Sequence, residues 1–182
     1  MPEAWRVFSR TPVLDLQPWL SVWTEHIRLG NGTEIPDFIR LTLPSWTAVF
    51  ALTDDGRVPF VEQYRLGVDA ITLELPAGAI DDGEAPVECA RRELLEEVGA
   101  AADSFELIGS YAVFPERSSM MMHVVLARGA RQVAAQTLEA TEDLAVRWMT
   151  VAEARDAWRT GRILCGTHVA AVARALDFLG AL

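Results

Sequence analysis

The sequence predicts an α/β (α+β) fold in which a mixed β-sheet packs between helices. Three observations carry that prediction. Short apolar runs of strand length recur along the chain and are separated by Gly, Asn and Asp turn signals. One acidic helix falls mid-chain, beginning near Pro86 and stopping at Gly99. Two segments near the C-terminus, residues 151–160 and 168–179, read as helices, the second with Val169, Val172, Leu176 and Leu179 at core spacing.

Taken in order, residues 1–18 hold Pro2, Pro12 and Pro18 with little periodicity and read as a loosely structured lead-in. Residues 20–29 are mixed apolar and polar over strand length. Gly30-Asn31-Gly32 then gives a hairpin signal, and residues 35–43 form the return strand with Pro36 near its start. Residues 47–53 (TAVFALT) read as a buried strand, Asp54-Asp55-Gly56 as a tight turn, and residues 58–64 as the antiparallel partner. Residues 71–75 form a short strand leading into Pro76-Ala77-Gly78, so the loop before the acidic helix leaves a sheet edge. Strands are expected over 105–113, 121–127 and 145–149, with the loop FPERSSM (residues 114–120) between the first two.

The whole chain, 182 residues with 51 % hydrophobic content, is expected to form one domain, residues 1–45 being an N-terminal strand extension and 46–182 the core. A formal charge of -10 argues against a nucleic-acid backbone as partner, while a small anion can still be held by local arginines and a metal. All 16 basic residues are arginine, which we ascribe to coding bias. Cys89 and Cys165 are too few for a disulfide framework, the N-terminal residues do not show a basic region followed by an apolar run, and no stretch approaches roughly eighteen uninterrupted apolar residues. These features lead to the expectation of a soluble cytoplasmic protein with no membrane partner.

The chemistry concentrates in residues 78–100, GAIDDGEAPVECARRELLEEVGA, where five glutamates fall within fourteen positions. Like charges one turn apart on an exposed face cost a helix up to ~0.5 kcal/mol per pair, so something should neutralise them. With a start near Pro86, Val87, Ala90, Leu94 and Val98 form one apolar stripe. Glu93, Glu96 and Glu97 then project together over about 100° of arc beside it. Three hard oxygen donors on one flank suit Mg2+ or Mn2+.

This stretch resembles the signature of the Nudix hydrolases: Gly, five residues, Glu, seven residues, Arg-Glu, an apolar residue, any residue, Glu-Glu, any residue, Gly. The matching positions are Gly78, Glu84, Arg92, Glu93, Leu94, Glu96, Glu97 and Gly99, with Ala100 standing where the pattern prefers a larger aliphatic. The resemblance implies metal-assisted hydrolysis of a nucleoside diphosphate linked to another moiety, on a Nudix-type α/β/α sandwich. Glu93 and Glu97 would bind the catalytic metals, then Glu96, with the Ala77 carbonyl as a backbone ligand and Glu84 joining through water. Arg92, with Gly78 and Gly99, would be structural, pairing with a glutamate to orient it.

Outside the box, Gln63-Tyr64-Arg65 and Glu74-Leu75-Pro76-Ala77-Gly78 are similar to the QYR and ELPAG segments of ADP-ribose pyrophosphatases and nucleoside diphosphate sugar hydrolases. Pro115 stands near that group's downstream proline, although Glu116 replaces the usual glycine. By this resemblance Arg65 holds a phosphate or ribose, Glu74 contacts substrate or braces the loop, and Arg117 adds a phosphate contact. Trp23 and Trp46 are candidates to stack on a nucleobase, against the simpler reading of core or dimer packing. The general base would come from residues 136–144, with Glu142 in best register and Glu139 the alternative. His26, His123 and His168 read as structural. By the same resemblance the expected reaction yields AMP, or another monophosphate, and a sugar phosphate, and the hairpin extension with its tryptophans implies a homodimer. Two alternatives stand: another nucleotide substrate, such as a dinucleoside polyphosphate, a modified triphosphate or coenzyme A, and a nucleotide-sensing domain without turnover.

Overall fold

The computed structural model describes residue 1 and residues 3–182. The chain divides into two compact units, Met1–Ser45 with Ala112–Met121, and Trp46–Tyr111 with Met122–Leu182.

The first unit is an antiparallel sheet of β1 (Arg6–Leu16), β2 (Leu20–Arg28) and β3 (Glu34–Thr42), with β2 central. The expectation of a loose lead-in is corrected here, since β1 is an eleven-residue strand. Proline is tolerated because β1 is an edge, and Pro12 lies where the register against β2 shifts. Between β2 and β3, Asn31 accepts the Thr33 N–H at 3.0 Å and Gly32 takes a positive φ of 88°, the local chemistry that closes the hairpin. β2 buries Ser21, Glu25 and Ile27. The Glu25 carboxylate accepts from Arg10 Nε at 2.7 Å, which offsets its burial. Every residue of β1 is exposed, including Val7, Phe8, Val13, Leu14 and Leu16.

The second unit contains β4 (Trp46–Leu52), β5 (Arg57–Arg65), β6 (Ala70–Glu74), β7 (Ala77–Ala79), α1 (Pro86–Val98), β8 (Ala100–Ala101), β9 (Ser104–Ala112), β10 (Met121–Arg128), β11 (Arg131–Gln132), β12 (Leu144–Thr150), α2 (Val151–Arg159) and α3 (Gly166–Phe178), β9 and β10 running across the boundary by a residue. Its largest sheet has the order β7-β4-β10-β9, with β4 and β10 parallel and β7 antiparallel to β4. A second sheet has the order β12-β5-β6, all antiparallel, and β8 pairs with β11. The fold is therefore mixed α+β, as the sequence predicts. The expected β4–β5 pairing is not made. The turn at Gly56 joins them, but β5 spends its two edges on β6 and β12.

β4 explains its own sequence. Val49 and Ala51 meet Ala90, Leu94 and Val98 of α1, together with Val125 and Ala127 of β10. The alternate residues Ala48 and Phe50 are buried on the opposite face, the side on which Trp46 meets α3. A strand covered on both faces must read as a continuous apolar run.

α1 starts at Pro86 without a side-chain cap and stops at Gly99, whose φ of 70° is the left-handed conformation of a helix stop. Its last carbonyls are satisfied by the following chain. Val133 and Ala134 donate to Gly99 O at 2.8 and 3.0 Å, Thr137 donates to Glu96 O at 2.9 Å, and Gln136 Nε2 donates to Glu97 O at 2.6 Å. The 136–144 segment is thereby tied to the end of the acidic helix. α2 opens with a capping box, in which the Glu153 N–H donates to Thr150 Oγ1 at 3.2 Å and the Thr150 N–H to Glu153 at 2.7 Å. Among the described residues no helix is long and apolar enough to cross a membrane.

Candidate active site

The acidic flank of α1 lies on the loop that precedes it. Glu93 and Glu97 are only 5 % and 4 % exposed, while Glu96 stays at the surface. The loop residue beneath Glu93 is Gly78, and any Cβ there would overlap the Glu93 carboxylate. The box glycine is thus needed for close approach and not for a turn. Glu97 accepts the Ala77 N–H at 2.9 Å, fixing the loop against the helix one turn further on.

Arg92 gathers the remaining charge. Its guanidinium donates to Glu84 at 3.0 and 3.1 Å, to Glu93 at 2.6 Å, to Glu96 at 3.2 Å and to the Ala79 carbonyl at 2.9 Å. It is the neutralising group that crowded glutamates require, and its own pKa is raised, first by Glu84. One cation does not suffice for the buried pair. Burial pushes the Glu97 carboxyl up to about 8, with Glu93 and Glu142 adding repulsion against the pull of the Ala77 N–H. Burial likewise raises Glu93 in spite of Arg92.

The structure distinguishes the two acids of the 136–144 segment. Glu142 is half-buried and its charge is felt at both Glu93 and Glu97; Glu139 is exposed, and its N–H donates to Glu142 Oε2 at 2.8 Å. Among the described residues no three acidic, His or Cys side chains form a ready-made cation cluster. The donor set nevertheless fits a hard divalent cation. Buried carboxylates held above their ordinary pKa, with a loop backbone beside them, are what such an ion would relieve.

A cavity of about 480 Å3 adjoins the same loop, lined by Ala77, Gly78, Trp46, Arg65, Glu74 and His168 among others. Three residues proposed from sequence as substrate contacts, Arg65, Glu74 and Trp46, therefore meet in one place. Trp23 and Arg117 belong to the other unit. Trp23 lies under Arg10 at 5.4 Å, with a buried Nε1 that has no hydrogen-bond partner among the described residues. Arg117 sits over Phe38 at 4.7 Å and donates to the Ile39 carbonyl at 3.0 Å.

Glu74, 1 % exposed, is saturated. Oε1 accepts from Arg65 Nε at 3.0 Å and Thr72 Oγ1 at 2.6 Å, and Oε2 accepts from Arg65 at 2.6 Å and lies 3.2 Å from His168 Nε2. Burial alone would raise its pKa, but these hydrogen bonds, Arg65's first, hold it well below the usual carboxylate range. Held on both oxygens by Arg65, Glu74 braces that guanidinium. Arg65 keeps its second terminal nitrogen free of protein partners among the described residues. His168, Thr72 and Cys165 also line the cavity, and the sequence reading did not place them there. His168 lies 93 positions from Leu75, whose N–H it accepts, and no local pattern marks such a pairing. Cys89 is buried beside Gly78, and burial pushes its thiol up to about 12, which leaves it inert at neutral pH.

The raised Glu97 pKa fixes a pH dependence. The folded state keeps a proton that the unfolded state releases near pH 4.5, so stability falls as pH rises from there to about 8. In metal-free protein, Glu97→Gln keeps the acceptor for Ala77 and should be more stable than wild type above pH 8, on the order of a few kcal/mol. The gap should close toward pH 5. Thermal melts with chelator across this range check it; a pH-independent difference would contradict it.

Comparison with known proteins agrees with this geometry. The NUDIX domain family matches residues 42–165. The methanol dehydrogenase activator of Bacillus methanolicus is 32 % identical over 150 residues, covering 81 % of this chain and 80 % of that protein. An ADP-ribose pyrophosphatase of Mycobacterium tuberculosis (strain ATCC 25618 / H37Rv) is 35 % identical over 127 residues, 69 % of this chain, and the match spans 61 % of that enzyme. In three dimensions, a crystal structure of an ADP compounds hydrolase superposes with a TM-score of 0.84 over 99 % of this chain and 98 % of that one, at 20 % identity, which speaks to the fold. With the box of α1 intact and the family match covering most of the chain, this protein belongs to the Nudix hydrolase family.

Proposed function

We propose that the protein hydrolyses the phosphoanhydride bond of ADP-ribose or a related nucleoside diphosphate sugar, giving AMP or another monophosphate and a sugar phosphate. The observation that carries this reading is the shared loop. Ala77 and Gly78 line the Arg65 cavity on one side and carry the buried Glu93 and Glu97 on the other. A diphosphate running from cavity to helix would meet a guanidinium first and the acidic flank next. The name of the mycobacterial relative supports the substrate class.

Glu93 and Glu97 would hold Mg2+, with Mn2+ as a substitute, joined by Glu96, the Ala77 carbonyl and Glu84. When bound there, such an ion would supply screening of the diphosphate charge and stabilisation of the leaving phosphate. Arg65, braced by Glu74, orients the substrate through its free nitrogen. Trp46 and the apolar cavity wall exclude water from the bound moiety. Glu142 is the general base and takes the proton of the attacking water.

A second reading comes from the name of the Bacillus methanolicus relative: a regulatory role toward another protein. The complete acidic set favours turnover. With Mg2+, purified protein should release AMP from ADP-ribose, and Glu97→Gln should lower kcat by ~100-fold or more while the fold is retained. Chromatographic product analysis checks both, and a wild type that releases no monophosphate from a panel of nucleotide sugars would contradict the reading.

We also propose that the protein works in the cytoplasm as a homodimer. The exposed Val7, Phe8, Val13, Leu14 and Leu16 on an unpaired edge strand support a second copy as cover. Light scattering should give twice the 20.1 kDa chain mass. A 20.1 kDa species at micromolar concentration would overturn the dimer.

A further inference from the structure

His168 is buried to 3 % exposure at the start of α3, and its two ring nitrogens face two different parts of the site. Nδ1 accepts the Leu75 N–H at 3.1 Å. A backbone N–H only donates, so Nδ1 carries a lone pair. Nε2 is 3.2 Å from Glu74 Oε2, which is a carboxylate and only accepts, so Nε2 carries the proton. The neighbours therefore specify the Nε2–H tautomer, which places that N–H against the Glu74 carboxylate at 3.2 Å. Trp46 covers the ring at 5.3 Å.

The consequence of each contact is separate. In the loop Leu75-Pro76-Ala77 the proline has no N–H, and the other two donors are both spent on buried side chains, Leu75 on His168 and Ala77 on Glu97. The Pro76 carbonyl accepts from Val49 N at 2.9 Å. The loop is pinned along its whole length, and His168 is the pin at the end remote from α1. Through Nε2, the same ring packs 3.2 Å from the Glu74 carboxylate that accepts from Thr72 and, on both oxygens, from Arg65.

We propose that His168 is a positioning residue which, from the C-terminal helix, sets both the loop that presents Ala77 and the Glu74–Arg65 clamp. This rests on the proposed hydrolysis of nucleoside diphosphate sugars, in which the loop serves the reacting centre and Arg65 serves binding.

Two variants separate the contacts. His168→Asn places an amide oxygen near the position of Nδ1 and loses the donor to Glu74. His168→Gln extends a donor toward Glu74 and loses the acceptor for Leu75. His168→Asn should raise KM about tenfold with kcat within about twofold, whereas His168→Gln should lower kcat about tenfold with KM within about twofold. Equal losses in one parameter that track thermal stability, or no change in either variant, would overturn the proposal. Two measurements on substrate-free protein keep its failure distinct from failure of the hydrolase reading. Two-bond proton–nitrogen NMR of wild type should show His168 protonated on Nε2 alone. The Leu75 amide should exchange with solvent about tenfold faster or more in His168→Gln than in His168→Asn. A ring protonated on Nδ1, or equal Leu75 exchange in the two variants, would also overturn it.

Discussion

Two carboxylates, Glu93 and Glu97, are buried against the backbone of their own approach loop, and much of the second unit serves to tolerate that. Burying a carboxylate without full compensation is expensive, and here the compensation is partial by construction. Arg92 bridges Glu84, Glu93 and Glu96, and the Ala77 N–H serves Glu97. Gly78 leaves room for the Glu93 carboxylate. The apolar stripe of α1, Ala90, Leu94 and Val98 on Val49, Ala51 and Val125, holds the helix down so that the acids cannot escape to water. The uncompensated burial is what a divalent cation, under the proposed function, would relieve.

Under the proposed function the same loop joins the acidic flank to the substrate cavity. Its far side lines the cavity where Arg65 and Trp46 meet, and its N-terminal end is held by His168 from a helix almost a hundred positions downstream. Glu74 is engaged on both oxygens by Arg65, so under the proposed function the recognising charge in the cavity is Arg65. The acidic flank and the cavity thus meet on two faces of one short segment, held at Leu75 by His168 and at Ala77 by Glu97.

Local chemistry was legible in the sequence, and long-range pairing was not. Pro86 and Gly99 mark the ends of α1 because a missing N–H and a left-handed φ are properties of single residues. The 3.6-residue period put Ala90, Leu94 and Val98 in the core and the glutamates beside it. By contrast, β1 was hidden because proline usually breaks strands, and only its edge position and register shift make Pro12 tolerable. The turn at Gly56 reads as a hairpin, yet β5 pairs with β6 and β12, a preference that depends on which edges remain free. At the site, Arg65 and Glu74 are separated by a short hairpin and could be read together, whereas His168 carries no local mark of its contact with Leu75. Glu142 was already in better register than Glu139 in the sequence, whereas the tether of Gln136 and Thr137 on the end of α1 was not legible there.

The central claim is that the buried pair on α1 holds a divalent cation, and direct binding tests it without reference to any substrate. Manganese can be titrated into metal-free protein and the free ion followed by electron paramagnetic resonance. Wild type should take up the ion, and the double substitution Glu93→Gln with Glu97→Gln should weaken uptake about tenfold or more while the circular dichroism spectrum is unchanged. Equal manganese affinity in the two proteins would contradict the account.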